Sequence, residues 1–239
     1  MNLVIFETAE IDRPLPRNDR RAVHVLDVLR RRVGDTFDAG VINGPRGKAT
    51  LVALDASALT LSFAAENSLL TTEPITLIVG LPRPQTGRDI LRDATTLGVS
   101  AIHFVRTEKG DANYAQSSLW SSGEWRRHAV AGAEQAFSTR VPEITHGLSL
   151  AEAIATVPAV ATRLALDNYE SPAPLGQRVF HANEIVALAI GGERGWSAAE
   201  RDLMRAQNFA LVHLGSRVLR TETACTAALA IIRAKLGLL

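Results

Sequence analysis

Cysteine is almost missing: Cys225 stands alone in 239 residues. An intramolecular disulfide is therefore excluded, and a reducing cytoplasm is the compartment to expect. Long hydrophobic runs are missing too. No stretch approaches the roughly 18 apolar residues that a membrane span needs. The opening "MNLVIFETAEIDRP" has no basic segment followed by a long apolar one, so no signal peptide is expected. No Gly-x-Gly-x-x-Gly and no Gly-x4-Gly-Lys-Ser/Thr occurs, which leaves ordinary dinucleotide and P-loop sites unsupported. A Gly-x-Ser-x-Gly elbow is absent as well. The six histidines (24, 103, 128, 146, 181 and 213) have no metal spacing, and no metal is expected. There is no internal repeat and no low-complexity segment.

What is present is a chain that can bury a core, with a hydrophobic fraction of 46%. The net charge of +1 says little about partners, but its distribution says more. Between Arg13 and Arg32, seven arginines (13, 17, 20, 21, 30, 31, 32) face Asp19 and Asp27, a local net charge of +5. From charge alone, a patch that holds phosphates and a solvated basic face are equally open. Pairing with Asp19, Asp27 or Asp35 would add only about 0–1 kcal/mol each.

Texture divides the chain into residues 1–70 and 71–239. The first part carries one short helix with apolar residues at helical spacing, "RRAVHVLDVLRR". After it, Gly-Asp, Asn-Gly and Arg-Gly turns separate short Val/Ile/Leu/Thr/Phe runs, which predicts a small antiparallel barrel. "ENSLLTTEP", 66–74, reads as a linker. From Ile75 the rhythm alternates: "ITLIVGL", "AIHFV", "TRLALD", "EIVALAIGG" and "FALVHLG" suit buried strands, with helices between them. "GRDILRDATTLG" is a helix closed by Gly98. Ser-x-x-Glu capping boxes mark three helix starts: Ser121 with Glu124, Ser149 with Glu152, and Ser197 with Glu200. The expected class is α/β, with a mostly parallel sheet and helices on both faces.

Ligands of such sheets sit at the carboxyl ends of strands. Three strand ends here run into suggestive loops: Leu166-Asp167, "IGGERGWS" and "HLGSRVLRTETA". Glycines there let backbone approach a ligand closely. Cys225 lies on the apolar helix that follows and reads as a small core residue, not a nucleophile. Trp196 reads as packing under the helix after its loop. The last loop sets an arginine, a carboxylate and two hydroxyls in one turn at the start of a buried helix. Thr221 and Thr223 could satisfy its free amides. Glu222 could merely favour the positive end of the helix dipole and pair with Arg220.

"LGSRVLRTETA" closely resembles the Leu-Gly-x-Arg-Ile-Leu-Arg-Thr-Glu-Thr-Ala signature of the ribosomal RNA small subunit methyltransferase E family, SPOUT-class enzymes that methylate N3 of a uridine in 16S rRNA. "HVLDVLRRRVGD" (24–35), "DATTLGV" (93–99), "EQAFSTRVPEI" (134–144) and "IGGERGWS" (190–197) are similar to further stretches of that family. The chain departs from the pattern at Thr96, Ser138, Gly192 and Arg194, where the family has Glu, Arg, Pro and Gly. The resemblance implies a PUA-like RNA-binding barrel over 1–70 and a SPOUT methyltransferase domain with a C-terminal trefoil knot over 71–239. It implies S-adenosylmethionine as cofactor and a homodimer with the site near the subunit interface. It also implies a role in ribosome biogenesis, with 16S rRNA or the small ribosomal subunit as partner.

Methyl transfer from a sulfonium is an in-line displacement for which the enzyme mainly supplies alignment. Under the resemblance, Leu166, Ile190, Gly191, Gly192, Gly195, Leu214, Gly215, Leu219, Thr221 and Thr223 are the expected cofactor-binding residues. Arg220 and Glu222 are the expected catalytic pair. Arg220 would meet the charge that develops on the deprotonated base, and Glu222 would orient it or take the proton. Arg17, Arg20, Arg21, His24 and Arg30 are the expected RNA-binding residues. Two other readings stay open. One is a methyltransferase of the same fold acting on another rRNA or tRNA nucleotide. The other is a non-catalytic RNA-binding ribosome-assembly factor, which would have little need for the polar turn.

Overall fold

The structure, a computed structural model, describes residues 3–66, 71–181 and 183–239. Residues 67–70 of the expected linker lie outside the described residues. Two compact units are present. The first gathers Met1–Thr71 with Val130–Val141; the second holds Thr72–Ala129 and Pro142–Leu239.

In the first unit the elements are β1 (Val4–Phe6), β2 (Leu15–Pro16), α1 (Arg20–Val23), β3 (Thr36–Val41), β4 (Arg46–Leu54) and β5 (Ala58–Ala65). They form a five-stranded sheet of order β1-β3-β4-β5-β2. Only β1 with β3 is parallel; the other pairs are antiparallel. The Asn43-Gly44 turn between β3 and β4 is as expected, with Asn43 left-handed at φ 55. Arg46-Gly47 is not a turn: it opens β4. A side chain at Gly47 would collide with the carbonyl of Ala64 on the paired strand. Phe6, Phe37, Leu51, Leu59, Ala22 and Val25 fill the core. The expected helix over "RRAVHVLDVLRR" is shorter and wider than its spacing suggests. One α turn runs into a π-helical turn, His24–Val28, and Arg30 ends it in the left-handed region at φ 53. The wide turn lets Ala22 and Val25 sit buried while Leu26 and Leu29 pack beside them. Val130, Ala133, Phe137 and Val141 make a second cluster with Leu3, Ile5 and Ile42.

The second unit continues with β6 (Glu73–Gly80), α2 (Pro84–Thr96), β7 (Val99–Arg106), α3 (Ser118–Ser121), α4 (Glu124–Gln135, whose last residues belong to the first unit), β8 (Glu143–Ser149) and α5 (Leu150–Thr156). It ends with β9 (Thr162–Leu166), β10 (Ala173–Pro174), β11 (Val186–Ile190), α6 (Ala198–Ala206), β12 (Ala210–His213) and α7 (Thr221–Leu236). The sheet has seven strands in the order β10-β12-β9-β11-β6-β7-β8, and every pair is parallel. Alternate strand residues feed two cores. Leu77, Val79, Leu188 and Ile190 pack with Ile90 and Leu91 of α2 and with Cys225, Leu229 and Ile232 of α7. Ile78, Ala187 and Ala189 pack with Ile154 of α5, Met204 of α6 and Trp196. Two-sided burial is why these strands read as continuous apolar runs. Among the described residues no helix is long and apolar enough to cross a membrane.

Pro84 opens α2, where its missing N–H costs nothing, and Gly98 follows the helix at φ +82. The capping boxes at Ser149/Glu152 and Ser197/Glu200 are both complete. The third is not formed. Gly123, at φ +74, separates Ser121 from α4, and the Ser121 hydroxyl donates instead to the Ser117 carbonyl. Ser197→Ala is therefore expected to cost about 1 kcal/mol in urea unfolding. Ser121→Ala should stay within about 0.5 kcal/mol of the parent.

Candidate functional site

Parallel pairing sends the carboxyl ends of β6, β9, β11 and β12 to one edge of the second unit's sheet. A cavity of about 670 Å³ opens there, within the range of small-molecule sites. It is lined by residues 166–169 after β9, 190–196 after β11 and 217–222 leading into α7, with Leu214 and Ala224. Arg83, Gln85, Thr86 and Asp89, from the end of β6 and the first turns of α2, close the remaining side. The three loops singled out in the sequence thus meet. The fourth was missed, although "LPRP" carries the same signal: a buried strand running straight into a helix.

The loop after β11 comes very close to neighbouring backbone. A Cβ on Gly191 would lie 2.8 Å from the Gly195 Cα, and one on Gly80 would lie 2.6 Å from the Gly192 nitrogen. Gly195 holds φ +63 and donates its N–H to the Gly192 carbonyl at 2.9 Å. Trp196 then turns inward, 1% exposed, and packs in the core that α5 and α6 share. Its carbonyl stays in use: the Lys109 Nζ donates to it at 2.7 Å and the Arg201 Nη1 at 2.9 Å.

Arg201 joins two of the loops. Its guanidinium sits 3.4 Å from Asp167 Oδ2 and 2.8 Å from Glu170 Oε1, besides the Trp196 carbonyl. Asp167 is buried and folds its own loop, with Oδ1 accepting the N–H groups of Tyr169 and Glu170 at 2.9 and 2.6 Å. Glu200, the residue before Arg201, caps its helix through the Ser197 N–H and accepts the Glu108 N–H at 2.8 Å.

Of the expected cofactor-binding residues, Leu166, Ile190, Gly191, Gly192, Gly195, Leu214, Leu219 and Thr221 line the cavity, together with Arg220 and Glu222. Gly215 and Thr223 do not. Gly215 instead bends the chain at φ +105, its N–H donating to His213 Nδ1 at 3.0 Å. The expected hydroxyl cap on α7 is not formed either. Arg220 occupies the N-cap position, no side chain caps the helix, and Thr221 is buried. Neither Arg220 nor Glu222 has an ion-pair or side-chain hydrogen-bond partner among the described residues. Two residues apart at a helix start, they point to different sides. Cys225 is buried in the sheet–helix core, and desolvation pushes its thiol far above the ordinary range, away from any thiolate role.

In the first unit, Arg20, Arg21 and His24 line a smaller cavity of about 170 Å³ with Leu3, Val4 and Glu134. Arg21 has its fork filled: Glu10 and Asp19 both accept from it, at 2.6 and 2.8 Å, and both carboxyls are held below the ordinary range by those bonds. Arg20 reaches Glu134 at 3.4 Å but stays half exposed. Arg17 is exposed, its Nη1 donating to the Asp55 carbonyl at 3.2 Å. Arg30 is exposed at the end of the π-helical turn. Among the described residues no group of three or more His, Cys, Asp or Glu could hold a metal ion.

Residues 70–233 match the family model of an RNA methyltransferase domain. The chain is 36% identical to a ribosomal RNA small subunit methyltransferase E of Treponema pallidum, over 98% of this chain and 91% of that one. It belongs to that family. A Synechocystis relative with the same name is 33% identical over 90% of this chain and 71% of the other. The fold agrees with that of solved structures. The Neisseria gonorrhoeae ribosomal RNA small subunit methyltransferase E, bound to S-adenosyl methionine, superposes with a TM-score of 0.80 at 24% identity, covering 98% of this chain and 97% of that one. A probable rRNA-methyltransferase from Porphyromonas gingivalis gives 0.84 at 23% identity, with 99% of each chain covered.

Gly191→Ala must push backbone against backbone and should cost about 1–3 kcal/mol in thermal unfolding. Gly176→Ala, where an added Cβ meets nothing within 4 Å, should stay within about 0.5 kcal/mol. Arg201→Met leaves the Asp167 carboxylate buried without its cation and should cost about 3–5 kcal/mol by the same measurement.

Proposed function

We propose that the chain methylates N3 of a uridine in 16S rRNA, using S-adenosylmethionine. The observation that carries this reading is the gathering of Arg220, Glu222 and the glycine loop around one cavity at the strand ends. Its walls suit the cofactor. Leu166, Ile190, Leu214 and Leu219 offer apolar surface for an adenine, and backbone without side chains at Gly191 and Gly192 lets polar main-chain groups come close. The uncapped N–H groups at the start of α7 are donors awaiting a partner. S-adenosylmethionine supplies a methyl group already activated by its sulfonium.

What remains for the protein is alignment and charge. The uridine imide gives up its N3 proton and N3 takes the methyl group, while the electron pair of the broken C–S bond stays on sulfur. Negative charge spreads over the flanking carbonyl oxygens as the proton leaves. Arg220, free of any carboxylate, neutralises that charge. Glu222, which points away from Arg220, takes the proton. Arg17, Arg20, His24 and Arg30 of the first unit bind rRNA phosphates, and Arg21, already bonded to Glu10 and Asp19, braces the helix that presents them. The same reading takes the working protein to be a cytoplasmic homodimer with a knotted C-terminal segment.

Arg220→Ala should lower kcat by about 10²–10³-fold while calorimetry finds S-adenosylmethionine affinity largely kept. Wild-type turnover in that variant removes the assignment. The target is read by mass spectrometry of rRNA nucleosides from a deletion strain. Loss of N3-methyluridine from 16S rRNA is expected; loss of a different methylated nucleotide makes this a relative with another target. Failure of the wild-type protein to bind S-adenosylmethionine makes it an assembly factor.

A further inference from the structure

A second cleft, of about 230 Å³, adjoins the first and shares its lip. Arg83, Gly192, Glu193, Arg194 and Gly195 line both. The far wall of the smaller cleft is the turn after β7, with Thr107, Lys109, Gly110 and Asp111, and the 3-10 turn that follows it, with Tyr114. Three cations, Arg83, Lys109 and Arg194, therefore border one small space. None has a carboxylate within ion-pair distance among the described residues, whereas Arg88, Arg92, Arg201, Arg205 and Arg233 in the same unit all do.

Their present partners are neutral and leave donors over. Arg83 Nε donates to the Tyr114 hydroxyl at 3.3 Å. Arg194 Nη1 makes a long contact of 3.5 Å to the Lys109 carbonyl. Lys109 uses one of its three donors on the Trp196 carbonyl. Glu193, one of two acids that line the cleft, is turned to the backbone, with Oε1 accepting the Arg83 N–H at 2.9 Å. Tyr114 rests its ring on the sheet–helix core and offers the cleft a hydroxyl. Asp111, like Glu193, is turned to backbone, its Oδ1 accepting the Asn113 N–H at 2.9 Å. Two planar forks and an ammonium thus border the cleft with no carboxylate paired to them, an arrangement that suits a phosphodiester, which arginine meets with two parallel hydrogen bonds.

We propose that this cleft holds a backbone phosphate of the RNA strand next to the base in the main cavity, with Arg83 and Arg194 as positioning residues and Lys109 in support. The inference rests on the reading of the main cavity as the methyl-transfer site. Because the two clefts share a lip, a phosphate fixed in one limits where the neighbouring base can lie in the other, and alignment is what this reaction needs. Arg194 stands where the family pattern that the sequence resembles has glycine, so under this proposal the contact is one that pattern does not encode.

The test uses the full-length protein and in vitro transcribed 16S rRNA. Arg83→Met and Arg194→Met should each raise KM for RNA about tenfold and reduce the slope of log K for RNA binding against log salt by roughly 0.7–0.9, the value of one phosphate contact. Calorimetric affinity for S-adenosylmethionine should not change. Arg194→Lys, which keeps the charge, should restore most of the slope. Folded variants with wild-type KM and slope overturn the proposal. So does a loss of S-adenosylmethionine affinity in place of RNA affinity, since the cations would then serve the cofactor. A wild-type protein that neither binds S-adenosylmethionine nor modifies the RNA sinks the underlying reading and this one together; an active wild type with unaltered variants sinks this one alone.

Discussion

The site depends on one constraint, the parallel pairing of β6, β9, β11 and β12. Because all four strands run the same way, their carboxyl ends and the loops that leave them share an edge. A parallel strand cannot turn back on itself, so each must be followed by a crossover that leaves the sheet. Four such departures side by side create a hollow, and their backbones supply its floor. The glycines follow from that crowding. With the chain at Gly191 packed on that at Gly195, and Gly80 on Gly192, there is no room for a β-carbon.

A hollow made of loops would be soft unless something tied the loops together, and Arg201 does this from beneath. It lies one turn into α6, which Ser197 and Glu200 start at a fixed point. From there it holds Asp167, Glu170 and the Trp196 carbonyl, so that the loops after β9 and β11 are set by one side chain. Trp196 contributes twice. Its indole fills the core under the loop, and its carbonyl takes both Arg201 and Lys109. Packing and polar bonding therefore fix the same few residues, and a buried charge is tolerable because it is surrounded by partners.

Much of this was legible in the sequence, for identifiable reasons. The strands of the second unit are buried on both faces, so they stand out as apolar runs, and three of the four site loops follow from their ends. The boxes at Ser149 and Ser197 could be read because a serine with glutamate three residues on is a local device. The same spacing misled at Ser121, where the left-handed Gly123 intervenes. β8 escaped notice because its face is only half buried and "EITHGLS" has no apolar run. The charge cluster of the first unit was visible as a total. Its division into a spent Arg21 and exposed Arg17, Arg20 and Arg30 was not, since Glu10 and Asp19 meet Arg21 only after folding.

The polar turn at the start of α7 shows the difference between charge that is paired within the fold and charge that is not. In sequence, Arg220 and Glu222 look like a pair, and two threonines look like caps. Helix geometry refuses both readings. Positions two apart diverge around the axis, and a helix whose N-cap is arginine has no side-chain oxygen at the place where an acceptor would serve its free N–H groups. The turn thus leaves a guanidinium, a carboxylate and helix-end donors unspent at the wall of the cavity. A chain that partners Arg21, Arg88, Arg201 and Arg233 so fully elsewhere leaves these groups open where a substrate can reach them. Because they lack internal partners, a ligand that engages them displaces only water, and no protein bond has to break first.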